Sequence, residues 1–221
     1  PSDARIKTKT EGNNVETYYY DSQNRLSKTV FSSNGTSYYY EYTYSNGTVT
    51  EYRSNEPRYE QEQILPNGAV KLNCGSNPRL LKLDANGFYS GNSSTCEAQS
   101  YKYDANGFII EQNLSITDYN RADQMINDGK NITKINSKGF SYGGGDFTTT
   151  TFIQYLDKAS TIGNVNFGKA FLGKSSEALV RSISENGKTT SYFYEMDAQQ
   201  RVINRTATNS KDQTVTSYTY Y

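Results

Sequence analysis

The chain has 221 residues, with 23 cationic and 23 anionic side chains and no histidine. Zero net charge, with Lys and Arg dispersed along the chain, argues against a dedicated nucleic-acid binder, which carries a basic excess. The missing histidine excludes Ser-His-Asp and Cys-His catalysis, and no metal or cofactor site is expected.

Aliphatic residues are scarce: Val, Ile, Leu and Phe make up 39 of 221 positions, but 21 tyrosines supply further burial. Each buried aromatic removes roughly 150–250 Å² from water, so a thin, tyrosine-dominated core is expected, with hydroxyls reaching solvent at its edges. No run of 18 apolar residues is present, so no transmembrane helix is expected. The chain begins at Pro1 rather than Met, as in a trimmed form, with any signal peptide or lipid anchor upstream.

The strongest local signal is Asn-Gly, which occurs six times, at Asn34, Asn46, Asn67, Asn86, Asn106 and Asn186. Flanked by alternating residues, it marks tight hairpins, because both residues tolerate positive φ. In chain order, the first turn is Tyr20-Asp21-Ser22-Gln23-Asn24-Arg25, followed by a strand over Arg25–Phe31. In Thr36–Ser45 four tyrosines, Tyr38, Tyr40, Tyr42 and Tyr44, share one face at period two. Strands are expected next at Thr48–Arg53 and Arg58–Leu65. Leu83-Asp84-Ala85-Asn86-Gly87-Phe88 and Tyr103-Asp104-Ala105-Asn106-Gly107-Phe108 are near-copies. In both, Asp84 or Asp104 opens a type I turn, and Gly87 or Gly107 takes the left-handed position and forms a bulge. Asn24 holds that position in the first copy. Gln200 suits it poorly, so Met196–Arg201 is expected to be a different turn.

Further strands are expected at Glu97–Tyr103, Phe108–Ile116, Asn131–Lys138, Phe147–Tyr155 and Arg201–Ala207. Asp118–Asp128 would tolerate a helical turn. Alternation fails over Asp157–Ser184, where Ser176–Arg181 reads as either a short helix or a strand. Turns recur about every ten residues, the rhythm of an up-and-down meander. The expected fold is therefore all-β: one domain over residues 1–221, an antiparallel meander of roughly 12–16 strands in a large curled sheet or open barrel.

These repeats resemble the tyrosine-aspartate repeats of bacterial shell and surface proteins. Combined with Ile162-Gly163-Asn164-Val165-Asn166-Phe167 and Phe171-Leu172-Gly173-Lys174-Ser175-Ser176, the chain looks closer to a family of secreted lipoprotein domains of Gram-negative gut bacteria, of unknown function and porin-like β fold. The resemblance implies a curled antiparallel sheet and export to the cell surface or periplasm, and transfers no catalytic residue. A lipid-facing barrel needs an apolar band on alternate residues. Glu60 and Glu62 against Tyr59, Gln61 and Gln63 supply none, so a soluble protein that does not span the membrane is expected.

Cys74 and Cys96 are expected to form a disulfide in an exported protein, with a stabilisation of about 3.4 kcal/mol in the chain-entropy model. Gly168–Ser175 matches the phosphate-loop pattern, a chemistry that needs a buried parallel strand before it and a helix after it. Paired carboxylates such as Glu60 with Glu62, or Glu195 with Asp197, would serve a glycosidase. Asp21, Asp84, Asp104 and Asp197 read as turn formers. Tyr39, Tyr89 and Tyr142 are candidate exposed rings for glycan or protein contact. The leading expectation is a non-enzymatic exported domain that binds or scaffolds, with a glycan or surface protein as partner. A carboxylate glycosidase and a nucleotide-binding protein are the alternatives.

Overall fold

The computed structural model describes residues 4–54, 64–65, 68–69, 79–93, 97–116 and 119–221. The strands in chain order are β1 (Ile6–Glu11), β2 (Asn14–Tyr20), β3 (Leu26–Ser33), β4 (Thr36–Ser45), β5 (Thr48–Ser54), β6 (Ile64–Leu65), β7 (Gly68–Ala69), β8 (Arg79–Leu83) and β9 (Tyr89–Ser93). They continue with β10 (Glu97–Tyr103), β11 (Ile109–Ile116), β12 (Tyr119–Asn127), β13 (Ile132–Ser141), β14 (Gly145–Ala159), β15 (Ala178–Glu185), β16 (Lys188–Met196), β17 (Val202–Thr208) and β18 (Gln213–Tyr220). Sixteen of them form a closed antiparallel barrel in meander order, in which β5 pairs β8 and the two-stranded pair β6–β7 stands apart. Closure comes from β1 pairing β18, with Ile6 opposite Tyr220.

The turns follow the expected chemistry with one correction. Asp21 Oδ1 accepts the N–H groups of Gln23 and Arg25, and Asp84 and Asp104 accept the equivalent groups of their own turns. Asn24, Gly87 and Gly107 occupy the left-handed region. Gln200 does so as well, at φ 60°, so Met196–Arg201 is the same turn rather than a different one. Asp197 binds the N–H groups of Gln199 and Arg201 and the Arg201 guanidinium. Three such bonds outweigh the roughly 1–2 kcal/mol cost of a left-handed non-glycine residue. The helical turn considered within Asp118–Asp128 is instead β12, and Ser176–Arg181 becomes strand from Ala178. Of Arg58–Leu65 only Ile64 and Leu65 are described; Cys74 and Cys96 lie outside the described residues.

One face of each barrel strand points inward. The buried cluster includes Ile6, Tyr18, Leu26, Tyr42, Val49, Leu81, Tyr89, Leu179, Val202 and Tyr218, and Tyr40 and Tyr44 pack on it from the same face of β4 as Tyr42. Several phenol hydroxyls, expected at solvent, instead bind backbone. Six hairpins splay apart toward one end of the barrel, and in each a tyrosine bridges the gap. Tyr20 donates to the Ile6 carbonyl, Tyr44 to Leu26, Tyr103 to Tyr89, Tyr155 to Ile132, Tyr194 to Val180 and Tyr220 to Val202, over 2.6–2.9 Å. The geometry repeats. The last ladder pairs are Thr8↔Thr17, Lys28↔Glu41, Gly91↔Ser100, Lys134↔Phe152, Ser182↔Ser191 and Asn204↔Ser217. In all six the accepting carbonyl lies two residues before the ladder on one strand, and the tyrosine lies three residues beyond it on the other.

The splay also frees backbone donors, and the β14–β15 connection uses them. This segment, residues 160–177, crosses the barrel end as a plug and includes a 3₁₀ turn at Ala170–Leu172. Ile6 N–H donates to the Asn166 carbonyl and Leu26 N–H to that of Gly168; Val202 N–H donates to Thr161 Oγ1 and Ile132 N–H to Ser176 Oγ. These four residues are also tyrosine acceptors. At these four positions, phenols satisfy the carbonyls and the plug satisfies the amides, as buried backbone groups require. Phe167 packs edge-on against Tyr18 with centroids 5.1 Å apart, and Phe171 against Tyr44 at 6.3 Å. Gly168 is required here: at φ +66°, a Cβ would fall 2.7 Å from the Leu26 nitrogen.

Candidate functional site: the charged interior above the plug

Charged side chains on the inward-facing positions form a belt beyond the aromatic core. Lys9 pairs Glu16 at 2.6 Å, Arg53 pairs Glu51 at 2.7 Å, and Arg121 pairs Asp123 at 2.7 Å. Arg79 donates to the Tyr89 hydroxyl and to Gln99, both at 3.1 Å. Thr216 donates to Glu11 and accepts from Arg205, and Thr151 donates to Glu185. The belt follows from strand alternation: Glu51 and Arg53 share the parity of buried Val49, so they must face inward with it.

The plug sends one cation into this space. Lys169 approaches the face of Tyr18, its ammonium 5.9 Å from the ring centroid, and forms no ion pair with a described residue. Burial holds its ammonium below the ordinary lysine range, against the opposing pull of Glu16 and Glu51. Nearby phenols shift the other way. Burial, reinforced by Glu16, raises Tyr18, and burial with Glu51 raises Tyr42; both stay neutral and act as hydrogen-bond donors. The arrangement can recognise a polar or charged group.

The sequence-derived candidates disperse. Tyr142 is 79% exposed, at the tip of the β13–β14 hairpin. Tyr39 lies on the outward face, with Lys28 Nζ 3.8 Å from its ring centroid and Tyr52 beside it. Tyr89, expected to be exposed, is 4% exposed: it faces inward and belongs to the core. These three rings do not share a surface. Glu195 accepts from Asn204 and Asp197 is used by its turn; Glu60 and Glu62 lie outside the described residues. The phosphate-loop pattern loses its required setting, since Gly168–Ser175 is part of the plug, with a 3₁₀ turn and a parallel bridge from Lys174 to Phe108. The lysine that enters the barrel is Lys169, and the pattern's own Lys174 is exposed. Sequence reasoning missed Lys169 and the belt. The available signal was a lone cation between Phe167 and Phe171, and charges in register with buried Val49.

No family model matches the chain, and no curated protein matches it. Solved structures similar in fold include two porin-like proteins. One is a porin-like protein from Bacteroides uniformis, 12% identical, with a TM-score of 0.59, covering 98% of this chain and 95% of that one. The other is a porin-like protein from Bacteroides vulgatus, 10% identical, with a TM-score of 0.59, covering 99% of both chains. At such identities the likeness is one of fold: this chain is an all-β antiparallel barrel of sixteen strands, porin-like in architecture.

Proposed function

We propose that this chain is a non-enzymatic, exported barrel that binds or scaffolds at the surface or in the periplasm of a Gram-negative bacterium, without spanning the membrane. The observation that carries this reading is the outward face of the wall. A membrane-spanning barrel presents an apolar band about 25 Å tall. Outward positions here hold the Lys28–Glu41 and Lys102–Glu111 pairs, both at 3.0 Å, with Thr43 and Thr50 facing each other across β4 and β5. On β13 the outward row is Lys134, Asn136 and Lys138. No helix among the described residues is long and apolar enough to cross a membrane, which says nothing about strands.

The plug supports a second part of the reading. A diffusion pore needs a lumen clear at both ends, whereas here residues 160–177 pack into one end and join its walls. The belt and the wall grooves then serve recognition, with a glycan or surface protein as partner. A glycan array and a surface-protein pull-down test the binding role, and an absence of hits in both removes it.

A further inference from the structure

Where β15 and β16 part beyond Ser182↔Ser191, the wall carries two cavities back to back. The outer one, about 670 Å³, has Lys158, Arg181 and Phe193 in its lining; the inner one, about 260 Å³, reaches Arg205, Ser175 and Ser176. Tyr192 and Tyr194 line both. The outer space exists because pairing between β14 and β15 slips twice, after Gln154 and after Tyr155, which pushes Leu156–Lys158 out of the ladder. Phe193 is 62% exposed at this mouth.

Three cations attend this seam, and none has an acidic partner within ion-pair distance among the described residues. Lys158 and Arg181 are exposed at the outer mouth beside Asp157, which pairs neither. Arg205 stands inside, bonded to Thr216 Oγ1 and resting 5.8 Å from the Tyr192 ring centroid. Its Nε is buried and has no hydrogen-bond acceptor. A buried guanidinium N–H left unbonded is unfavourable by an amount that an anion would recover, and the planar fork suits a carboxylate.

We infer that the β15–β16 seam is a binding site for an acidic saccharide, a sugar that rests on Phe193 in the outer cavity and passes its carboxylate between the parted strands to Arg205. The inference rests on the binding role proposed above and names the ligand class. A sugar fits better than an apolar acid because the rings alternate with hydroxyl and amide groups, Gln154, Ser182 and Ser191 outside and Ser175 and Ser176 inside. The outer volume lies in the range of small-molecule sites.

Titration calorimetry of the purified chain with digalacturonate tests this, with galactobiose and acetate as controls. Saturable one-site binding of digalacturonate is expected, with neither control reproducing it. Arg205→Met and the exposed double variant Lys158→Glu/Arg181→Glu should each weaken binding at least about tenfold, the equivalent of one charge-assisted hydrogen bond. Circular dichroism checks that the double variant is folded, so the test stands even if Arg205→Met does not fold. No saturable binding by the wild type overturns the inference, as does equal binding of galactobiose, or a folded double variant that binds like the wild type. A hit on another glycan or protein in the array or pull-down, together with any of these results, would leave the binding role standing and remove only the acidic-saccharide site.

Discussion

Replacing Tyr44 by Phe removes one hydroxyl and leaves the ring, so it isolates a single bridge of the splayed end. Tyr44 donates at 2.8 Å to the carbonyl of Leu26, a residue with no exposed surface, and Leu26 N–H is committed to the plug. Water therefore has no easy route to the orphaned carbonyl. Leaving a buried acceptor unsatisfied costs about 1–3 kcal/mol; the carbonyl partly recovers through weak contacts, so the lower half of that range is expected. For a chain of this size, 1 kcal/mol moves the melting temperature by about 2–4 °C, so Tyr44→Phe should lower it by about 2–8 °C. The ring contact with Phe171 and the Arg25 guanidinium 4.2 Å from the ring centroid persist in the variant, which keeps packing out of the comparison. Tyr39→Phe is the control, since its outward ring has no such carbonyl partner, and should stay within about 0.5 kcal/mol. Urea denaturation followed by circular dichroism measures both. Equal stability of the two variants would refute the argument that phenols replace the missing ladder.

Alkaline pH should act on all the bridges together. Burial raises each of them, Tyr44 and Tyr194 to about 12. A phenol raised in the folded state contributes stability that is complete below about pH 10 and is lost as pH climbs through the folded value. Denaturation midpoints at pH 9, 10.5 and 11.5 should therefore fall steadily, and a flat series would count against buried phenols. At Asp104, slight burial pushes the carboxyl up, but the N–H of Phe108 and the side chain of Asn127 more than reverse it and hold it below the usual range. Its contribution is present above the unfolded value and lost as pH falls through the folded one. Asp104→Ala should cost about 1–2 kcal/mol by urea denaturation, while an unchanged midpoint would remove the turn argument. Gly168→Ala should cost about 2 kcal/mol or more through its positive φ and the clash with Leu26. Gly143→Ala, also at positive φ but with nothing within 4 Å, should cost about 1 kcal/mol; similar losses for the two would show that the plug is not seated as described.

The meander was legible in the sequence because its signals are local. Asn34-Gly35 sets a turn from two residues, and Tyr38 to Tyr44 declare their shared face by period alone. The bridges were not legible, because the acceptor of a phenol is a backbone carbonyl, which any residue supplies: Ile6, Leu26 and Val202 are buried aliphatics like others in the core, and only their position relative to the ladder makes them acceptors. Closure rests on Ile6 meeting Tyr220, a pairing across the whole chain that no local pattern encodes. The Gly168–Ser175 match shows the opposite failure. Its glycines are present for close approach to Leu26 and Tyr103, and the same spacing mimics a phosphate loop once strand and helix context is ignored. At Gln200 a propensity argument lost to the side-chain bonds of Asp197. The charged belt was partly visible, since Glu51 and Arg53 alternate with Thr50 and Tyr52, but nothing local marked that face as the interior.

The most direct test of the account is the behaviour of the purified chain with lipid. Mixed with liposomes and spun through a density gradient, it should stay at the bottom as detergent-free protein, and planar bilayers exposed to it should show no conductance steps. Flotation with the vesicles together with stable channel openings would contradict a plugged barrel with a polar outer wall.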